Sequence, residues 1–192
     1  MRVIKDEQIF KHPFASLSKK TIESDSGIVH SHLVIEKKDA VCLTLFDTHT
    51  KKLLFVKQFR AGAHYNTSLN NSFTIEPIAG HIDPGESPIQ SALREALEET
   101  TIEIDESKIE LFAKGLTSPG ISNEIHYHLI ATFDSSLLDM NSILNSVHGI
   151  DDEEIQIVMY SIKESMEMIS TGEIFASHSI IGIMKAAITF GA

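Results

Sequence analysis

The 192 residues carry 42% hydrophobic side chains, enough to fill one well-cored domain and short of what two would need. A formal net charge of -11 disfavours nonspecific binding to nucleic acid or an anionic membrane, although a metal ion can still draw a small anionic substrate to an acidic site. The lone Cys42 cannot form an internal disulfide, the N-terminal MRVIKDEQIFKH has no long apolar segment, and no stretch approaches bilayer-spanning length; together these predict a cytoplasmic protein with no membrane or nucleic-acid partner.

Residues 1–37 read as short strands, because apolar patches around Ile9 to Leu17 and Ile28 to Ile35 flank the turn-forming ESDSG at 23–27. His30 and His32 alternate along one such strand, as His126 and His128 do later; with no cysteine or third ligand close by they read as exposed strand residues rather than a zinc site. A main domain is expected over 38–192. Residues 40–46 and 53–59 are apolar runs joined by the polar DTHTKK, which predicts a β-hairpin. Arg60 follows its second strand, either as a surface charge or as a clamp for a phosphate. FTIEPIAG, residues 73–80, reads as one strand that carries Glu76 and the Ala79 carbonyl toward a common site.

Next comes GHIDPGESPIQSALREALEETTI, residues 80–102. Ser87 can cap a helix that has Pro88 in its first turn, and Ile89, Ala92 with Leu93, and Ala96 with Leu97 repeat at helical spacing as its buried stripe. Glu95, Glu98 and Glu99 then project together on the opposite face. Like charges one turn apart repel by a few tenths of a kcal/mol per pair, roughly, so stability alone does not favour the arrangement. A hard divalent cation such as Mg2+ reverses the sign, whereas a solvated acidic face is the ordinary reading of a bare ExxEE run.

Residues 109–116 and 125–133 are strands on either side of TSPGISNE, where Glu124 could bind metal or ligand. Residues 134–153 make a long polar connection leading into the acids Asp151, Asp152, Glu153 and Glu154, which composition alone explains as solvated charge. IQIVMYSI is a strand, IKESMEMIS a helix, and residues 172–190 a terminal helix. The order predicts an α+β chain, an α/β/α sandwich in which helices flank a mixed sheet, with a small N-terminal β-region.

Taken whole, residues 80–102 resemble the Nudix box: Gly80, Glu86, Arg94, Glu95, Glu98, Glu99 and Ile102 hold its pattern. Two positions depart from it. Ala96 stands where a larger aliphatic is usual, and Thr101 replaces the glycine after the helix; a β-branched residue disfavours the left-handed conformation, so the helix is expected to exit differently. LFVKQFR, IEPIAGHIDPGE, TSPGISNE, GIDDEEIQI and the C-terminal SMEMISTGEIFASHSIIGIMKA look like the ADP-ribose and nucleotide-sugar pyrophosphatase branch, which includes GDP-mannose pyrophosphatases.

That resemblance implies a Nudix fold and a Mg2+-dependent hydrolase, with Mn2+ as a possible substitute. It implies Glu95 and Glu99 as principal metal ligands, assisted by Glu98 and the Ala79 carbonyl, with Arg94 orienting the carboxylates. It places Arg60, Glu76, Gly120 of the SPG turn and Glu124 against substrate. It puts Asp151 where the family carries a catalytic acid, with Asp152 or Glu153 as alternates. The substrate implied is a nucleoside diphosphate-sugar, ADP-ribose first, with GDP-mannose, UDP-glucose or a non-catalytic nucleotide-binding role as alternatives. The family also implies a homodimer built with the N-terminal strands.

Overall fold

The computed structural model describes residues 1–69, 71–146, 148 and 154–191. They fall into two units, Met1–Ala40 with Lys114–His126, and Val41–Ala113 with Tyr127–Ala192.

The first unit is built on an antiparallel sheet of β1 (Arg2–His12), β2 (Ala15–Glu23) and β3 (Val29–Glu36), with β2 in the middle. The ESDSG segment turns as its composition predicts, closed by Ser24 N to Ile28 O at 2.8 Å and Gly27 N to Ser24 O at 2.9 Å. The earlier turn does not follow the apolar patches. β1 is exposed along its whole length, so no burial alternation marks it, and the patch from Ile9 to Leu17 straddles the turn at Pro13 and Phe14. Ile35 of β3 bonds in turn to Ile121, N to O at 2.7 Å.

The second unit is organised on β4 (Ala40–Asp47), buried at every position, as a strand covered on both faces must be. It forms the expected hairpin with β5 (Lys52–Phe59), Leu45 opposite Leu54 and Phe46 opposite Leu53. Residues 73–80 do not make one strand. Pro77 has no N–H for the ladder, and it divides β6 (Phe73–Glu76), paired with β5, from β7 (Ile78–His81), paired with β4. With β8 (Ile109–Leu116), β9 (Ile125–Phe133) and β10 (Gln156–Ser161), the mixed sheet runs β10-β5-β4-β9-β8.

The helices are α1 (Ala61–His64), α2 (Pro88–Thr100), α3 (Met140–Asn145), α4 (Ile162–Thr171) and α5 (Ser177–Phe190). Strand alternation sends Val41, Leu43, Leu45, Leu54 and Val56 to a core shared with Ala92 and Ala96 of α2, while Phe46, Leu53 and Phe55 meet Ile183 and Ala186 of α5. Helices therefore cover both faces, which is the α/β/α sandwich. The polar connection after β9 is not a bare loop, since it contains α3, whose Ile143 is buried. Among the described residues no helix is long and apolar enough to cross a membrane.

The start of α2 follows its sequence: Gln90 N donates to Ser87 Oγ at 3.2 Å and Ser87 N to Gln90 Oε1 at 2.8 Å, a reciprocal capping box with Pro88 just inside. Its end corrects the expectation for Thr101. That residue adopts the left-handed conformation anyway, at φ 59° and ψ 14°, with its N–H on Leu97 O at 2.9 Å. Ile102 explains why: it is fully buried, so the chain must reverse into the core immediately after the helix. The buried stripe also differs from the expected one. The alanines at 92 and 96 make the seam, and Leu97 is 47% exposed. Because Thr101 bears a left-handed cost of about 1 kcal/mol that glycine escapes, Thr101→Gly should raise Tm by about 2–4 °C; an unchanged or lower Tm would show that the threonine is not strained.

Candidate functional site

Arg94 is the hub of the α2 surface. A guanidinium has five N–H donors, and every one is engaged here. Nε donates to Glu86 Oε1 at 3.0 Å, Nη1 to Glu95 Oε1 at 2.7 Å and Glu98 Oε2 at 2.9 Å, and Nη2 to the His81 carbonyl at 3.0 Å and Glu86 Oε2 at 3.1 Å. Glu86 also accepts from Ser91 Oγ and from Asp83 N at 3.2 Å, which ties the loop before α2 to the helix. The Arg94 and Ser91 hydrogen bonds hold the Glu86 carboxyl down at about 2. The same glutamates push the Arg94 pKa up, so it is a permanent cation.

Glu95 lies across Gly80, where an added Cβ would fall inside the Glu95 carboxylate. The glycine is therefore the space that lets β7 and α2 close on this side chain. The carboxylates of α2 do not all lie on its open face as their spacing predicts. Glu98 remains accessible, but Glu95 is 13% exposed and Glu99 only 5%, on the flank that turns toward the sheet. Helix twist carries position 99 onto the same side as the buried Ala92 and Ala96.

The donor set fits a hard divalent cation. Glu95 and Glu99 stand one helical turn apart, and the residue whose space Glu95 occupies is joined directly to the Ala79 carbonyl. Among the described residues, no three His, Cys, Asp or Glu side chains group closely enough to hold a metal by themselves. Mg2+ does not require that, since it is commonly held by one or two carboxylates with the remaining positions left to water and substrate phosphates.

A second cluster forms where β5 ends. Arg60 meets Glu76 side-on, Nε to Oε1 at 3.0 Å and Nη2 to Oε2 at 2.6 Å. Thr74 Oγ1 donates to Glu76 Oε1 at 2.5 Å, and His178 Nε2 in the first turn of α5 stands 3.3 Å from Oε2. Burial pushes the Glu76 pKa up, but the His178 and Arg60 contacts outweigh it and hold the carboxyl well below the usual carboxylate range. Glu76 is 3% exposed and Arg60 41%, so the pair joins a buried anion to a cation at the surface. Sequence spacing gave no hint of His178, whose partner lies on a distant strand.

Gly120 and Glu124 belong to the first unit. Gly120 sits in an exposed turn, whereas Glu124 is buried, with Lys37 Nζ on Oε1 at 2.5 Å and Thr117 Oγ1 on Oε2 at 3.2 Å. Desolvation raises the Glu124 pKa, and Lys37 more than reverses it. The neighbouring histidines are not the exposed residues expected: His126 Nε2 lies 3.7 Å from Glu124 Oε1, and His128 is buried with its ring 6.1 Å from that of Phe112. Asp151, Asp152 and Glu153 lie outside the described residues.

A family model described as "NUDIX domain" matches residues 36–170. The chain is 27% identical to the GDP-mannose pyrophosphatase of Escherichia coli (strain K12) over 175 residues, 90% of this chain and 87% of that protein. It is 25% identical to a Klebsiella pneumoniae protein of the same name over 184 residues, 94% of this chain and 88% of the relative. A Shigella flexneri protein of that name is 26% identical over 175 residues, with 90% and 87% covered.

The depressed Glu86 carboxyl sets a pH dependence. Its folded pKa of about 2 lies below the unfolded value, so its contribution to stability is complete above that value, about 4.3, and is lost as pH falls through about 2. Glu86→Gln should therefore flatten the fall of Tm between about pH 4.3 and 2. Parallel Tm curves for the two proteins over that interval would remove Glu86 from the network.

Proposed function

We propose that this chain, which belongs to the Nudix family and is a hydrolase of diphosphate bonds, cleaves the P–O–P linkage of a nucleoside diphosphate-sugar, with GDP-mannose as its leading substrate. The observation that carries the reading is Arg94, which turns four of its five N–H donors on Glu86, Glu95 and Glu98 and so gathers them where the site requires them. The relatives, aligned over 87% and 88% of their lengths, are GDP-mannose pyrophosphatases, which favours GDP-mannose over the ADP-ribose reading of the sequence.

Glu95 and Glu99, with the Ala79 carbonyl and Glu98, are assigned to hold Mg2+, and Mn2+ is an acceptable replacement. A divalent ion held by these residues would neutralise charge on the diphosphate and lower the pKa of bound water. Arg94 fixes the carboxylates so that no reorganisation is needed when the substrate arrives. Arg60 binds the diphosphate, Glu98 orients the attacking water, and Asp151 accepts its proton. Water adds across the bridging P–O bond, giving GMP and mannose 1-phosphate. The single cysteine fits the reducing cytoplasm. The exposed Val3, Ile9, Phe10 and Leu33 of the N-terminal strands, with Phe14 in the turn between β1 and β2, support a homodimer in which that sheet meets a second copy.

Purified protein with Mg2+ should release GMP and mannose 1-phosphate from GDP-mannose faster than it cleaves ADP-ribose or UDP-glucose. Glu99→Gln should lower kcat by about a hundredfold or more while the folded state persists. Undiminished turnover in a folded Glu99→Gln protein would sink the ligand assignment, and faster cleavage of ADP-ribose would restore it as the substrate.

A further inference from the structure

Helix α5 lies beyond the residues matched by the family model, yet its first turn reaches the buried acid that anchors Arg60. Three elements meet on that one carboxylate: Arg60 after β5, Thr74 on β6 and His178 on α5. A second tether sets the position of this turn, since Ser179 Oγ donates to the Ile75 carbonyl at 2.8 Å and both groups are buried. His178 therefore approaches Glu76 from a turn fixed to the adjoining residue of the same strand.

We infer that His178 is a positioning residue for substrate binding, holding Glu76 so that the Arg60 guanidinium is presented to the diphosphate of a nucleoside diphosphate-sugar. A side-on carboxylate takes the Nε and Nη2 edge of a guanidinium and fixes its plane, so whatever fixes the carboxylate also aims the arginine. Thr74 holds Oε1, and His178 stands against Oε2, the oxygen that receives Nη2. Without the imidazole, Oε2 loses its contact on the α5 side, and Glu76 is free to rotate toward Arg60 and draw it inward. The consequence falls on binding more than on bond cleavage, because Arg60 is assigned to the diphosphate and the carboxylates gathered by Arg94 to the cation. A glutamine at 178 can return an N–H to the same oxygen, whereas alanine cannot.

The inference rests on the proposed reading of the site, and the experiment separates the two. Affinity for GDP-mannose is measured by calorimetry without added divalent metal, and hydrolysis with Mg2+ is measured in parallel, for wild type, His178→Ala, His178→Gln, Arg60→Ala and the Arg60→Ala/His178→Ala double variant. His178→Ala should weaken binding and raise KM by roughly five- to tenfold with kcat within about twofold, and His178→Gln should recover most of the loss. The double variant should bind no more weakly than Arg60→Ala, since His178 acts only through the arginine. Unchanged affinity in His178→Ala overturns the inference. Additive losses in the double variant overturn it too, since the histidine would then act apart from the arginine, as does a lower Tm with no change in Kd or KM, which describes a merely structural histidine. If wild type binds GDP-mannose but cleaves no nucleotide-sugar, the hydrolytic reading fails while the Kd series still decides the role of His178. If wild type does not bind it at all, both fail.

Discussion

Carboxylates one turn apart on a helix repel, and α2 places Glu95, Glu98 and Glu99 within five successive positions with Glu86 folded back onto them. One guanidinium makes the arrangement possible. Arg94 touches Glu86, Glu95 and Glu98 at once and adds the His81 carbonyl, so loop, helix and the end of β7 are joined through a single side chain. A single positive charge offsets only one of the negative charges it gathers. The remaining negative potential is what a divalent cation would meet, and it suits a substrate whose phosphates would arrive with that cation.

The scaffold serves this hub through close approach. Alanines at 92 and 96 let α2 lie against the sheet, and the glycine at 80 leaves room for the Glu95 carboxylate between β7 and the helix. Pro77 has a matching role, because it ends the pairing of β6 with β5 and lets the chain cross to β4, which sets the Ala79 carbonyl beside α2. Burial of Ile102 then holds the far end of the helix even though Thr101 must take a left-handed conformation. Packing outweighs local preference at that position.

Much of this was legible because it is local. The capping residues Ser87 and Gln90, the spacing of the acids on α2 and the apolar runs of the β4–β5 hairpin all lie within short stretches whose geometry is set by secondary structure. What was not legible depends on partners far apart in the chain. The Lys37 partner of Glu124 comes from a distant stretch of chain, and nothing about His178 in sequence indicates that it faces Glu76. The bounds of β1 within the expected N-terminal strands were illegible for another reason: a fully exposed strand has no alternation to read. The burial of Glu99 was missed because the apolar stripe pointed to Leu97, while the helix turns its alanine edge inward and takes Glu99 with it.

Whether the Arg94 network is a prepared cation site is decided by an anomalous-scattering map from crystals soaked in Mn2+. A prepared site gives a peak within coordination distance of the Glu95 and Glu99 carboxylates and the Ala79 carbonyl, lost in Glu99→Gln crystals. A map with no peak there, or with Mn2+ bound only elsewhere, would contradict it.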